Sequence, residues 1–194
     1  MIDTVQTQAS KIPPWKYAEI EKKVVALYLE QRIHKLPIDP FQIIQNRGYI
    51  LVPFSKLTFN LPKESINGYN DAFSMYSPTD RTYIIAFDDS KSYDRLRFTL
   101  MHELGHIDLG HKGESDLARR MADYYAGYAL APSPLISRFA CNDVNVIKYV
   151  FWVSKYCAEV CCTRYSNWLE YGDKELRDYE KTLLSLFNDF ENNI

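Results

Sequence analysis

The sequence predicts an α+β fold, because segments with helical periodicity stand before and after a short block of strand-like runs. The chain has 194 residues, which is long enough for one domain with a substantial core and a small appendage. Apolar residues make up 46% and charged residues 25% of it, proportions that are ordinary for globular proteins and that exclude wholesale disorder.

Two helices are predicted before the sheet. An apolar stripe at helical spacing runs from about Pro14 to His34. After a proline-punctuated turn, a short helix begins at about Asp39 and ends at Gly48, since glycine is a common residue at a helix stop. Residues 1–14 are predicted to form a loose arm.

Three strand-like runs predict the sheet. The run "YILVPF" (49–54) is rich in β-branched and aromatic residues. The segment 67–89 predicts a hairpin whose two runs flank the turn "SPTD" (77–80), with Tyr83–Phe87 as its apolar second strand. The edge of this tyrosine-rich hairpin is a candidate for binding an extended peptide, although core and surface packing explains its aromatic residues as well.

Helices predominate after the sheet. The stretch "DDSKSYDR" (88–95) offers several N-caps for a helix that runs to about Leu109 and stops at the next glycine. A further helix spans roughly Ser115 to Leu130, and two helical segments follow at 145–170 and 174–190.

Composition limits the class of protein and its location. The net charge of −2 argues against a general polyanion binder, and no apolar run approaches the length of a membrane span. The N-terminus lacks the basic start and apolar segment of a signal peptide. The cysteines contain no C-x-x-C pair and favour buried thiols in a reducing compartment over a cysteine zinc site. We therefore expect a cytoplasmic protein with no membrane contact.

The stretch "RFTLMHELGHIDLGH" (97–111) carries the chemistry. His102 and His106 are four residues apart, so on a helix they lie one turn apart on the same face. Glu103 lies about 100° round the helix axis from His102. This H-E-x-x-H spacing lets both imidazoles bind one zinc ion while the carboxylate reaches a metal-bound water. Zinc would lower the pKa of that water to roughly 7, and Glu103 would take its proton as general base.

The alternative interpretation is a buried helix that merely contains a few polar residues. Apolar residues surround the motif, and burying two imidazoles and a carboxylate without partners would cost a large free energy. A bound metal would satisfy all three groups, so the metal interpretation is favoured. Gly105, in the middle of the helix, costs about 1 kcal/mol relative to alanine and predicts the close approach of a neighbouring helix.

A catalytic zinc site needs a third protein ligand. His111 is one residue short of the last histidine in the pattern H-E-x-x-H-x-x-G-x-x-H, where Lys112 stands instead. A slip of one residue on a helix turns a ligand well away from the metal. The next helix, "ESDLARRMADYYAGYALAP" (114–132), therefore holds the better candidates.

The stretches "RLRFTLMHELGHIDLGH" and "RRMADYYAGYALAP" resemble the ImmA/IrrE-type metallopeptidases, which are found with phages, mobile elements and stress regulators. The likeness covers roughly Ile38 to Pro134 and is strongest from Arg95 to Pro132. It implies a zincin-like fold, a minimal version of thermolysin, in which a second helix bears an acidic zinc ligand. It also implies a cytoplasmic zinc-dependent endopeptidase, typically one that cleaves a helix-turn-helix repressor.

The second helix departs from the family pattern E-x-E-A-[ND]-x-F-A. Arg119 and Met121 stand where the glutamates are expected, while Asp123 keeps the pattern. Asp123 follows Arg119 by four residues and so lies on the face where the first glutamate would point, which makes Asp123 the predicted third zinc ligand. Its shorter side chain requires closer helices, an approach that Gly127 facing Gly105 would permit.

An alternative role for Asp123 is to orient a histidine by accepting the proton of its other ring nitrogen. Glu114, Asp116 or water would then complete the zinc site. Arg119 and Arg120 are predicted to lie on a solvated helix face, with pairing to an aspartate or stabilisation of an oxyanion as the alternatives.

The predicted division is a zincin-like catalytic domain at 1–132 and a helical segment at 133–194 that packs on it. Within that segment, "FWVSKYCAEVCCTRYSNW" (151–168) is typical of a helix-turn-helix fragment. Its basic residues are too sparse for a phosphate-binding stripe, so packing on the catalytic domain is favoured over partner recognition, and direct nucleic-acid binding is not expected.

The sequence thus predicts a zinc metalloendopeptidase in which His102 and His106 bind Zn²⁺, Glu103 is the general base and Asp123 is the third ligand. Its expected substrate is a protein, namely a transcriptional repressor. The alternative is a binding module of the same fold that has lost efficient turnover and acts as an antirepressor. The reason to consider it is that the family's glutamate is missing from the second helix. The intact motif argues against this alternative, because a binding module has no evident need for Glu103.

Overall fold

A computed structural model describes residues 11–57, 71–113 and 115–188, so most of the predicted N-terminal arm lies outside the described residues. Its helices and one small sheet confirm the predicted α+β class. No helix within these ranges is long and apolar enough to cross a membrane. The elements are α1 (Pro14–Glu30), α2 (Pro40–Asn46), β1 (Ile50–Pro53), a 3-10 helix (Phe54–Lys56), β2 (Ala72–Ser77), β3 (Thr82–Phe87), α3 (Tyr93–Asp108), α4 (Asp116–Leu130), α5 (Ser133–Arg138), α6 (Val144–Phe151), α7 (Lys155–Tyr171) and α8 (Asp178–Ser185).

Local signals in the sequence place the ends of the first two helices. Helix α1 ends at Glu30, one turn before the predicted end at His34. The carboxylate of Asp39 caps α2 by accepting the backbone N–H of Phe41 at 2.9 Å. Gly48 follows α2 with a φ of +70°, a left-handed conformation that glycine adopts without strain.

The sheet has the strand order β1-β3-β2. Strand β1 is parallel to β3, with Ile50 opposite Ile84, and β2 is antiparallel to β3. The Ser77 hydroxyl donates to the carboxylate of Asp80 at 2.6 Å and closes the hairpin turn. The predicted hairpin is confirmed from residue 71 onward, and residues 67–70 lie outside the described part of the chain. Among the described strands, β2 lies at an edge of the sheet and beside α3.

Helix α3 lies between the sheet and the other helices. Leu96 and Leu100 pack with Ile85 of the sheet in one apolar cluster. Met101 and Leu104 belong to a larger cluster, shared with α1, α4 and the C-terminal helices. The C-terminal members of this larger cluster include Leu135, Ile136, Ile147, Phe151, Leu183 and Phe187. The C-terminal helices thus bury their apolar faces in the core that also supports α3.

The segment predicted to be helical at 145–170 forms two helices. Trp152 ends α6 in a left-handed conformation, with a φ of 50°. The Ser154 hydroxyl then caps α7 by accepting the backbone N–H of Cys157 at 3.2 Å. All four cysteines are free thiols and three of them are buried, as expected of small apolar residues.

A buried arginine ties the start of α3 to two other parts of the chain. The Arg97 side chain is 1% exposed and donates to the backbone carbonyls of Ile38 at 2.7 Å and Phe151 at 3.0 Å. Burial lowers the pKa of Arg97, and the delocalised guanidinium makes arginine the basic side chain best suited to such a buried position. Arg97 therefore links α3 to the loop before α2 and to the end of α6.

Replacing Arg97 by methionine is expected to lower the free energy of unfolding by about 3 kcal/mol, because the buried carbonyls of Ile38 and Phe151 lose their donors. Urea unfolding followed by circular dichroism measures the loss. The control is Arg95→Met, since the Arg95 side chain is 61% exposed and its surface salt bridge with Asp71 contributes less than about 1 kcal/mol. Equal losses in both variants would contradict the linking role of Arg97.

Candidate metal site

The two histidines of the H-E-x-x-H motif lie on one face of α3, one turn apart. Their Nε2 atoms, of His102 and His106, are 3.0 Å apart. Two nitrogens bound to one tetrahedral zinc ion at about 2.05 Å would be about 3.3 Å apart. Imidazole nitrogen is also a donor that zinc prefers. The pair therefore fits two of the four ligand positions of a zinc ion.

The opposite ring nitrogen of His102 contacts α4. His102 Nδ1 and Asp123 Oδ1 are 2.8 Å apart, and the Asp123 side chain is 47% exposed. A carboxylate in this position accepts the proton of Nδ1 and leaves the lone pair of Nε2 for a metal. The contact is the one expected of the orienting role, and direct ligation of zinc by Asp123 stays a prediction.

His111 holds the opposite ring nitrogen of His106 in a similar way. The Nδ1 atoms of the two residues are 3.0 Å apart. Burial lowers the pKa of His111, and the charges of His102 and Lys16 lower it further, so the His111 ring is neutral at pH 7. A neutral His111 can accept the proton of His106 at Nδ1, the arrangement that leaves the Nε2 lone pair of His106 for a metal. His111 therefore contacts the side of the His106 ring that lies away from Nε2.

The metal-binding pattern of the sequence bears on His111 only as a possible ligand and does not predict this contact with His106. The signal was present in Gly110, which has a φ of +68° and ends α3. The left-handed residue turns the chain back, and the backbone N–H of His111 donates to the carbonyl of His106 at 3.0 Å. The His111 side chain, which follows this glycine, therefore lies against the last turn of α3.

Glu103 lies where α3 meets the edge strand of the sheet. Its side chain is buried, with the residue 7% exposed, and Oε2 accepts the Ser74 hydroxyl at 2.7 Å. The H-E-x-x-H spacing predicted Glu103, but no pattern in the sequence pointed to Ser74, which precedes it by 29 residues. Sheet and helix together therefore hold the carboxylate beside the two histidines.

Within the described ranges, no group of three or more His, Cys, Asp or Glu side chains is arranged to hold a metal ion. Glu114, an alternative third ligand, lies outside the described residues. Asp116, the other alternative, is exposed in the first turn of α4. The described residues thus bring together two imidazole nitrogens, and the opposite nitrogen of each ring contacts a further side chain.

The two helix glycines face different partners. A Cβ atom at Gly105 would lie 3.1 Å from the Cβ of Tyr125 on α4, so the predicted close approach of a neighbouring helix is confirmed. A Cβ atom at Gly127 would instead lie 2.3 Å from Nη1 of Arg164 on α7. The prediction that Gly127 faces Gly105 is therefore wrong, because two different side chains occupy the space beside these glycines.

The site opens into a cleft of about 1390 Å³. Its walls include α3, α4 and, from the C-terminal segment, α7. Both His102 and Glu103 line it, and so do Arg119 and Arg120. Arg120 is exposed, in agreement with the predicted solvated face. The contribution of α7 to this cleft was not evident from the sequence.

Gly105→Ala is expected to lower the free energy of unfolding by about 1 kcal/mol. Alanine favours a helix over glycine by about 1 kcal/mol, but overpacking against the fully buried Tyr125 costs roughly 2 kcal/mol. Urea unfolding measures the change. Gly113→Ala is the control, since a Cβ atom there would meet nothing within 4 Å. A Gly105→Ala protein as stable as the wild type would contradict the close packing of α3 on α4.

The comparison with known protein families agrees with this geometry. The family Peptidase M78, described as the IrrE N-terminal-like domain, matches residues 56–149, a range that contains all of α3 and α4. No curated protein matches the chain. The H-E-x-x-H motif and the helix with Asp123 both lie inside the matched range, so the resemblance noted from these two helices is confirmed. The matched range is just under half of the chain, and it supports a similarity to the ImmA/IrrE family of metallopeptidase-like proteins.

Proposed function

We propose that the chain is a zinc-dependent endopeptidase with a zincin-like fold, and that it acts in the cytoplasm on a helix-turn-helix repressor. One observation carries the enzymatic part of this proposal. The Nε2 atoms of His102 and His106 lie 3.0 Å apart. The Nδ1 atom of each ring contacts a further side chain. Such supported pairs are typical of metal sites, because the contact at Nδ1 fixes the tautomer that binds a metal.

The residues present fit a zinc ion. His102 and His106 would hold it through Nε2, and the bound zinc would supply an activated water and polarise the scissile carbonyl. Asp123 supports this role by accepting the Nδ1 proton of His102, and His111 does so by accepting that of His106. We propose the orienting role for Asp123 in preference to direct ligation, because its carboxylate lies on the side of the ring away from Nε2.

Glu103 is the proposed general base. Its carboxylate takes the proton of the attacking water and delivers it to the leaving amine. The hydrogen bond from Ser74 to Oε2 fixes the orientation of the carboxylate, and burial excludes bulk water from it. A binding module without turnover gives no reason for a buried carboxylate held at this position, so the contact favours the enzyme over the antirepressor alternative.

The edge strand β2 is the proposed binding surface for the substrate backbone. It lies at the edge of the sheet, and its residue Ser74 touches the general base. An extended peptide that adds to such an edge through main-chain hydrogen bonds would pass directly beside Glu103. This arrangement suits an endopeptidase, whose substrate continues on both sides of the cut. The repressor as substrate class rests on the family resemblance.

Asp123→Ala is expected to weaken zinc binding by roughly 10- to 100-fold while one zinc ion per chain still binds, because an orienting partner is lost and both Nε2 ligands remain. Competition with a chelating dye measures the dissociation constant. His102→Ala is the comparison, since it removes a ligand and should abolish stoichiometric binding. If Asp123→Ala behaved like His102→Ala, Asp123 would be a ligand. Asp116→Ala tests the remaining described candidate.

Glu103→Gln is expected to abolish proteolysis with zinc binding retained, because glutamine is nearly isosteric but accepts no proton. The test is co-expression with a helix-turn-helix repressor encoded beside this chain, followed by mass spectrometry of the fragments. Ser74→Ala should reduce the cleavage rate only about tenfold, since the carboxylate remains but loses one hydrogen bond. A repressor that binds the zinc-loaded protein and is never cut would reject the enzyme and leave the antirepressor.

A further inference from the structure

Arg164 of α7 reaches across to α4 and lines the cleft that the candidate metal site borders. Its guanidinium group stacks on the ring of Tyr124, 4.5 Å from the ring centroid. Its Nη1 atom occupies the space left by the missing side chain of Gly127, where a Cβ atom would lie only 2.3 Å away. Both contacts hold the guanidinium in one place.

This guanidinium lacks a counter-charge. Its Nη1 atom is buried and has no hydrogen-bond partner, and no carboxylate among the described residues forms an ion pair with Arg164. The nearby buried carboxylate of Glu21 accepts hydrogen bonds from Tyr124 and Tyr179 instead, each at 2.5 Å. A partly buried, unpaired cation is unfavourable, and stacking on one ring offsets only part of that cost.

The position of Arg164 connects it with the substrate. Arg164 lines the same cleft as His102, Glu103 and Asp123. Its two neighbours on α4, Tyr124 and Gly127, follow Asp123 by one residue and by one helical turn. A peptide that extends along the cleft from Glu103 toward Gly127 would reach the guanidinium.

We propose that Arg164 is an anion subsite of the cleft and selects a peptide substrate with a carboxylate at one fixed position from the cut. This inference rests on the proposed peptidase function. Nη1 is enclosed beside Gly127, so the carboxylate would bind the other edge of the planar guanidinium, formed by the N–H groups of Nε and Nη2. Two parallel hydrogen bonds along that edge give geometric selectivity as well as affinity. The described wall of the cleft carries seven carboxylates against six Lys or Arg side chains, so a single carboxylate fits it better than a polyanion such as nucleic acid.

The first test is digestion of a peptide library by the zinc-loaded protein, with the products identified by mass spectrometry. The wild type should prefer Asp or Glu over Asn or Gln at one position by at least tenfold. Peptides with a free and an amidated C-terminus separate a side-chain carboxylate from the chain terminus. Arg164→Gln should lose the preference through a higher KM for the acidic peptide, with the rate on its amide counterpart unchanged.

Two further variants distinguish recognition from a merely structural role. Gly127→Ala adds a methyl group where Nη1 lies, so it should displace the guanidinium without removing its charge and should reproduce the loss of preference. Alanine is also the better helix former, so this variant should fold. Arg81→Gln, in the exposed hairpin turn outside the cleft, makes the same change in charge and should keep the preference. A preference that survives in Arg164→Gln, or is absent in the wild type, would overturn the proposal.

A binding measurement separates failure of this subsite from failure of the peptidase function. The Nε–Hε resonance of Arg164, in protein labelled with ¹⁵N-arginine, is followed during titration with N-acetylglutamate amide and with its glutamine counterpart. A saturable shift with the glutamate compound alone supports the subsite even if no peptide is cut. The absence of such a shift, or an equal shift with inorganic phosphate, would overturn the carboxylate assignment.

Discussion

The contact between Gly105 and Tyr125 is the constraint on which the site depends. Because Gly105 has no side chain, the buried ring of Tyr125 packs against the backbone of α3, 3.1 Å from where a Cβ atom would be. The Tyr125 hydroxyl also donates to Asp108, at the last turn of α3. These contacts fix both the distance and the rotation of α4, and Asp123 on α4 thereby meets His102.

Helix α3 is held at both ends, and the proposed zinc ligands lie between the two anchors. Near its start, Arg97 binds backbone carbonyls of two other segments. At its end, Arg47 forms ion pairs with Asp108 of α3 and with Glu30 of α1, both at 2.6 Å. The hydrogen bonds from Arg47 also lower the pKa of Glu30. A helix fixed in this way keeps its histidines in one geometry before a metal binds, which is what a preorganised site requires.

The sequence predicted those parts of the site that depend on local spacing. His102, Glu103 and His106 follow from the pitch of one helix, and the glycine stop at residue 110 follows from the tolerance of glycine for a left-handed backbone. It did not predict the contact of Ser74 with Glu103, since pairing across the fold leaves no periodic trace in the chain. The partner of Gly127 was missed for a related reason. Helical spacing shows which residues share a face, but only the packed neighbour decides what that face meets.

The same distinction separates the residues proposed for the chemistry from the residue proposed for the selectivity. Both histidines, Glu103 and Asp123 lie inside the range that matches the family, 56–149, whereas Arg164 lies beyond its end. The cleft is nevertheless formed by both parts, because α7 packs against α4 and carries Arg164 to within one helical turn of Asp123. In the proposed peptidase, a change at Arg164 would therefore alter the preferred peptide without disturbing the helices that hold the histidines.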